Sequence, residues 1–269
     1  MRTSPPAEAG GVAIGVIGAA GGAGTSTLAA AVAMTAPGKA SLIDANPAGG
    51  GIDLLLGLEG EPGARWPDLQ LRTGNVDAEE LRHALPATPG GVSVLAQARS
   101  TVPDPFRMTS QDLTGAVRAL REGRSVTVVV VDLPSWSPDL AEAVAVLDLV
   151  VVVVPAEVRP AAAAAALARE LAGLQVPAVG VLRHRAWSGL DPADIERITR
   201  LELVAEIRVL RHLCKQAELH GIGAPLPRAL RLAATSILEE AGLPRAGGGR
   251  PQTAGSVGRL HLHRNGVAA

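Results

Sequence analysis

Two stretches of the chain are apolar at almost every position, 126–131 (VTVVVV) and 149–154 (LVVVVV). A short unbroken run of β-branched residues predicts a strand buried on both faces, as in a parallel sheet. Shorter apolar runs at 12–17, 40–44, 92–95, 178–182 and 203–207 predict further strands. Longer segments with helical character separate them, at 24–34, 78–84, 110–120, 139–146, 159–171, 192–200 and 226–241. An apolar element also begins at 53–58 (DLLLGL), and 60–90 is otherwise rich in turn formers. Strands alternating with helices predict an α/β fold: a mostly parallel sheet of about seven strands flanked by helices. No internal repeat is present. Residues 11–243 are expected to form this domain. Residues 1–10 read as a flexible leader, and the Gly- and Arg-rich segment 244–269 as a disordered tail.

Composition narrows the core and the compartment. Apolar residues make up 47% of the 269 positions, yet aromatic ones only 1%, so Ala, Val, Leu and Ile must fill the interior. The formal net charge is −1, which gives no global field toward nucleic acid or an acidic membrane. Only Lys39 and Lys215 are lysines. A single cysteine, Cys214, rules out an internal disulfide and fits a reducing cytoplasm. No basic segment followed by an apolar core marks a secretory signal. The longest apolar stretch, 143–156, is short for a bilayer and is interrupted by Asp148. The expected location is therefore cytoplasmic, with membrane association at most peripheral.

Three segments can carry chemistry. The first, GAAGGAGTST at 18–27, joins a strand to a helix. Such a loop can wrap its N–H groups around phosphate, and the helix N-terminus adds a positive dipole. Gly21, Gly22 and Gly24 permit the necessary backbone, and a hydroxyl of Ser26 or Thr27 can ligate Mg²⁺. The same pattern also fits a plain tight βα turn. The second, LIDANPAGGGIDLLLG at 42–57, ends a strand in Asp44, whose carboxylate can orient a metal-bound water. The third, VVVVDLP at 128–134, puts Asp132 directly after a buried strand, the Walker B arrangement. Either aspartate alone also fits a turn or a helix cap; the three segments in this order are more specific.

Together these segments resemble the deviant Walker A ATPases of the MinD/ParA class, whose loop reads approximately KGGxGK[ST]T. Here Ala20, Gly21, Gly22, Ala23, Gly24, Thr25, Ser26 and Thr27 occupy it. The likeness runs over about residues 12–243 and is strongest to the CpaE/TadZ-like and septum-site-determining branch. The resemblance implies ATP bound through Gly21, Gly22, Ala23, Gly24, Thr25, Ser26 and Thr27. It implies Mg²⁺ at Ser26 and Asp132, and a catalytic position at Asp44. It also implies a homodimer, with a secretion or pilus ATPase or division proteins as partners. An additional receiver-like domain found in many such proteins is not expected, because the chain begins almost at the loop.

The chain departs from the pattern at three places. Ala20 stands where the family has its signature lysine, Thr25 where it has the P-loop lysine, and Asn46 where it has the second acidic residue after the strand. Phosphoryl transfer depends on positioning and charge neutralisation, and losing one such group costs about 10²–10³ in rate. The expected function is a nucleotide-binding scaffold that localises or assembles a Tad-pilus, secretion or septum-site machine, with hydrolysis very slow or lost. The competing expectation is an active ATPase with an ATP-dependent dimer switch. A DNA-partitioning role is disfavoured by the near-neutral charge. Arg183, His184 and Arg185 lie where family members contact the base, and equally fit a solvated loop. The amphipathic segment 226–241 fits a helix packed on the domain better than a membrane anchor.

Overall fold

The computed structural model describes residues 11–69, 77–98, 106–122, 127–135 and 137–244. The expected leader at 1–10, all but the first residue of the expected tail, and Val126 lie outside them.

In chain order the elements are β1 (Val12–Gly18), α1 (Thr25–Thr35), β2 (Lys39–Asp44), α2 (Ile52–Leu56), α3 (Ala78–Ala84), β3 (Ser93–Leu95) and α4 (Ser110–Arg121). There follow β4 (Thr127–Leu133), α5 (Leu140–Val144), β5 (Leu149–Pro155), α6 (Val158–Gly173), β6 (Ala178–Arg183) and α7 (Pro192–Thr199). The last are β7 (Leu203–Ile207), α8 (Leu213–His220) and α9 (Arg228–Glu240). The seven strands form one sheet in the order β3-β2-β4-β1-β5-β6-β7, and every neighbouring pair runs parallel.

The β-branched runs behave as their composition dictates. β4 and β5 are buried along their whole length. Alternate side chains feed two cores: Val128 and Val130 pack on one face of the sheet, Val129 and Val131 on the other. Each fully buried valine contributes on the order of 1.5–3 kcal/mol. The first core is closed by α1 and α9, the second by α3, α4, α5, α6 and α7. Small residues make the first closure possible. Ala29, Ala30, Ala31 and Ala33 of α1 are all buried, so the helix can approach both β4 and α9 closely. The segment 226–241 is thus a packed helix: Leu230, Ala234 and Ile237 of α9 lie inside.

Asp148, the break in the longest apolar stretch, has a structural task. Its Oδ2 accepts from Ala13 N at 2.7 Å and pairs with Arg121 at 2.9 Å, tying α4 to the start of β1. Two elements were not expected. One is a short 3-10 turn at Trp66–Asp68, and the other is α8, which packs against α2.

Candidate functional site

The C-terminal ends of parallel strands carry unpaired backbone groups and loops, which is where open α/β sheets hold ligands. At the end of β1, Gly18 leads into the glycine-rich loop. A β-carbon on Gly18 would overlap Thr25 Oγ1, so the loop folds tightly over its own start. Gly22 and Gly24 have φ of +67° and +88°, in the left-handed region that residues with side chains rarely adopt. Gly24 is the N-cap of α1, and no side chain caps the helix's first turn. Its first N–H groups therefore keep no side-chain acceptor and face the loop with the dipole behind them.

Below the loop is a cleft of about 350 Å³ that brings the three predicted segments together. Gly21, Gly22, Ala23, Gly24, Thr25, Ser26 and Thr27 line it, as do Asp44 and Asp132. The three departures from the family pattern, Ala20, Thr25 and Asn46, also border it.

The carboxylates come together through sheet register. β2 and β4 are neighbours, and Asp44 stands directly opposite Asp132. Each is only 2% exposed. Asp44 is satisfied by backbone: Oδ1 accepts from Asn46 N at 3.0 Å and Oδ2 from Ile52 N at 3.1 Å. Those bonds hold the turn at 46–51 against the strand end. Burial raises the Asp44 carboxyl above its ordinary range, and the charge of buried Asp53 adds to this, while the two N–H donors oppose it. The carbonyl of Asp44 accepts from Trp66 Nε1 at 2.8 Å and Gln97 Nε2 at 3.0 Å. The unexpected 3-10 turn thus anchors the site: it buries Trp66 under Asp44.

Asp132 is less satisfied. Its Oδ1 is buried without a hydrogen-bond partner. Burial pushes its carboxyl up to about 7; the hydrogen bond with Ser26 lowers it and the charge of Asp44 raises it. Two buried carboxylates with one unpartnered oxygen, beside a serine hydroxyl, make a set of hard oxygen donors. That set fits Mg²⁺, which takes one or two carboxylates and completes its shell from water and phosphate. Among the described residues no group of three or more His, Cys, Asp or Glu side chains could hold a metal by itself.

The segment after β6 arches over the same loop. Arg185 Nη2 donates to the carbonyl of Gly21 at 3.0 Å, and its Nη1 lies 3.5 Å from Glu157. Arg183 donates from Nη1 to the carbonyls of His184 and Arg208, and a β-carbon on Gly24 would stand 3.8 Å from its Nε. His184 does not join the loop: its Nδ1 meets Ser188 at 3.1 Å and its Nε2 meets Glu206 at 2.9 Å. The residues missed from sequence are two supports of the site, Trp66 and Gln97, which donate to the Asp44 carbonyl.

No family model matches the chain. An uncharacterized protein of Mycobacterium tuberculosis, in each of two strains, is 40% identical over 242 residues, covering 89% of this chain. The chain spans 66% of the length of these relatives. Among solved structures, the ParA family ATPase of Chlorobium tepidum superposes with a TM-score of 0.69 at 15% identity, covering 86% of this chain and 99% of that one. MinD from the MinC:MinD cell division complex of Aquifex aeolicus gives 0.68 at 21% identity, over 90% and 98% of the two chains. The septum site-determining protein MinD of Pyrococcus horikoshii, complexed with Mg-ADP, gives 0.65 at 17%, over 86% and 97%. The fold of this chain is that of the MinD/ParA class of P-loop ATPases.

Proposed function

We propose that this chain binds an adenine nucleotide together with Mg²⁺ and serves as a scaffold that localises or assembles a larger machine, with ATP hydrolysis very slow or lost. The observation that carries the reading is the unpartnered buried Oδ1 of Asp132, in the same cleft as Ser26 and the glycine-rich loop. A buried carboxylate of this kind wants a cation, and a cation in this place wants phosphate. Gly21 to Thr27 supply the cradle, Ser26 and Asp132 hold the metal directly or through water, and Asp44 lies beside them to orient a water.

The loss of turnover follows from Ala20, Thr25 and Asn46. None carries the charge that the resemblance assigns to its position. The machine is of the Tad-pilus, secretion or septum-site kind, on the strength of the resemblance to the CpaE/TadZ-like and septum-site-determining branch. The Aquifex MinD neighbour, solved with MinC, is a precedent for a protein partner on this fold.

The test is calorimetry with ATP at and without millimolar Mg²⁺, followed by a phosphate-release assay. Weak, Mg²⁺-dependent binding without turnover is expected. No heat at millimolar nucleotide refutes binding. Turnover of about one per minute or more, abolished by Asp132→Ala, instead establishes an active ATPase, the first half of the second reading, and ATP-dependent dimers would establish its switch; ordinary enzymes run at about 1–10³ s⁻¹. That second reading draws on the preserved Asp44, Ser26 and Asp132.

A further inference from the structure

We infer that Arg185, reaching in from the segment after β6, supplies the phosphate-binding cation that the glycine-rich loop does not carry. The inference rests on the nucleotide-binding reading above and adds a residue to it. Both lysines of the chain are out of play. Lys39 starts β2, at the opposite end of the strand from Asp44, and pairs with Glu79 at 2.5 Å. Lys215 is exposed on α8 and, like Arg185, is not among the residues that line the cleft.

Arg185, by contrast, touches the loop. Its Nη2 is 3.0 Å from the carbonyl of Gly21, and a β-carbon on Gly22 would stand 3.9 Å from the same nitrogen. Arg183 stands beside it, near Gly24. Burial pushes the Arg183 guanidinium below its ordinary range, and the charge of Arg185 adds to that, with only Cys214 opposing. Two guanidiniums held near one another at the mouth of a phosphate loop are relieved by an anion.

The bonds that Arg185 makes without ligand are exchangeable. One is to a main-chain carbonyl, and the other is a contact to Glu157 at 3.5 Å, about one third exposed and a weak pair. A guanidinium has five donors in a planar fork, so it can turn one edge to a phosphate and keep another on the loop. Glu157 competes with the phosphate for the same group. It therefore sets the resting position of Arg185 and lowers the affinity of the site.

The experiment measures ADP–Mg²⁺ and ATP–Mg²⁺ affinity by calorimetry across a NaCl series for the whole chain and for Arg185→Ala, Arg185→Lys and Glu157→Gln. A charge-assisted hydrogen bond is worth about 1.5–3 kcal/mol, which converts to roughly 10–150-fold in affinity. Arg185→Ala is expected to lose at least tenfold and to show a shallower salt dependence. Arg185→Lys should keep part of the affinity, and Glu157→Gln should gain a few fold. Side-chain exposure of 35% at Arg185 and 30% at Glu157 leaves the fold intact in each variant, which thermal melting verifies. Equal affinity of wild type and Arg185→Ala overturns the inference while leaving the nucleotide reading standing. So does a loss with an unchanged salt slope, because Arg185 would then act only by shaping the loop. A wild type that binds no nucleotide overturns both.

Discussion

Replacing Asp132 with asparagine should stabilise the protein, and more so as pH rises. Asp132 is 2% exposed, stands opposite Asp44 in the sheet, and leaves Oδ1 without a partner. Burial therefore holds its carboxyl at about 7, against 3.8 for the free group. The folded value lies above the unfolded one, so the native state binds the extra proton between them. Native stability from this group is full below about pH 4 and is lost as pH rises to about 7. At about 1.4 kcal/mol per pKa unit, the full loss is about 4 kcal/mol. The asparagine has no such titration.

Urea unfolding of both proteins at pH 5 and pH 8, without nucleotide or Mg²⁺, isolates the effect. The exposed groups cancel in the difference, whereas Asp44, which faces Asp132, is relieved by the same substitution. The exposed carboxyls of Asp77 and Asp194, both held below their ordinary range, stabilise wild type and variant alike as pH rises. The Asp132→Asn variant should exceed wild type by about 2 kcal/mol at pH 5 and by about 4 kcal/mol at pH 8, a widening of about 2 kcal/mol. Mg²⁺ with nucleotide should narrow the gap, since only wild type offers the cation a carboxylate. A difference that stays constant between pH 5 and pH 8 would refute the reasoning, because an uncharged or well-partnered Asp132 gives no such slope.

Trp66→Phe should cost about 1–2 kcal/mol in urea unfolding by stripping one donor from the Asp44 carbonyl, and Trp66→Ala about 3–5 kcal/mol through the cavity left; a Trp66→Ala cost below about 1 kcal/mol would show that the turn is not an anchor. Thr25→Lys should tighten ATP binding by roughly tenfold or more in calorimetry, and leave phosphate release unchanged while Asn46 remains. A homodimer meeting across residues 49–51 should form to the same extent with and without ATP, because Ala20 cannot reach a partner's phosphates. Light scattering decides it: a strict monomer in both states sinks the dimer, and ATP-only dimers show that the nucleotide switch survives.

What the sequence reveals is what the local pattern encodes. Strands β4 and β5 are legible because burial on both faces demands apolar residues at every position. Asp44 and Asp132 are legible because each sits at the end of such a strand, and both reach one cleft. Helix α8 is not legible: Leu213 is its one buried side chain, so no apolar stripe marks it, and it is held by packing against α2. Trp66 sits in a stretch of turn formers without periodicity, and its partner is a carbonyl 22 positions away. The contact of Arg185 with Gly21 joins residues 164 apart, and no local pattern can announce it.

On the proposed function, the placement of charge favours holding a nucleotide over turning it over. A cation in the loop beneath the phosphates can follow charge as it develops on the transferring group, and so favours the transition state over the ground state. On the reading proposed above, Arg185, tethered at rest to Glu157 and to the Gly21 carbonyl, binds the phosphates as a ground-state contact. Interactions of equal strength in the two states lower the dissociation constant and leave the rate of the bound complex unchanged. The second acidic position tells the same way. Asn46 spends its backbone N–H on Asp44 and its carbonyl on Gly49, which builds the turn, and its amide cannot take a proton from water at neutral pH. If Arg185 is the phosphate cation, its place on the rim and the neutral Asn46 act in one direction, toward a site whose output is the bound state itself.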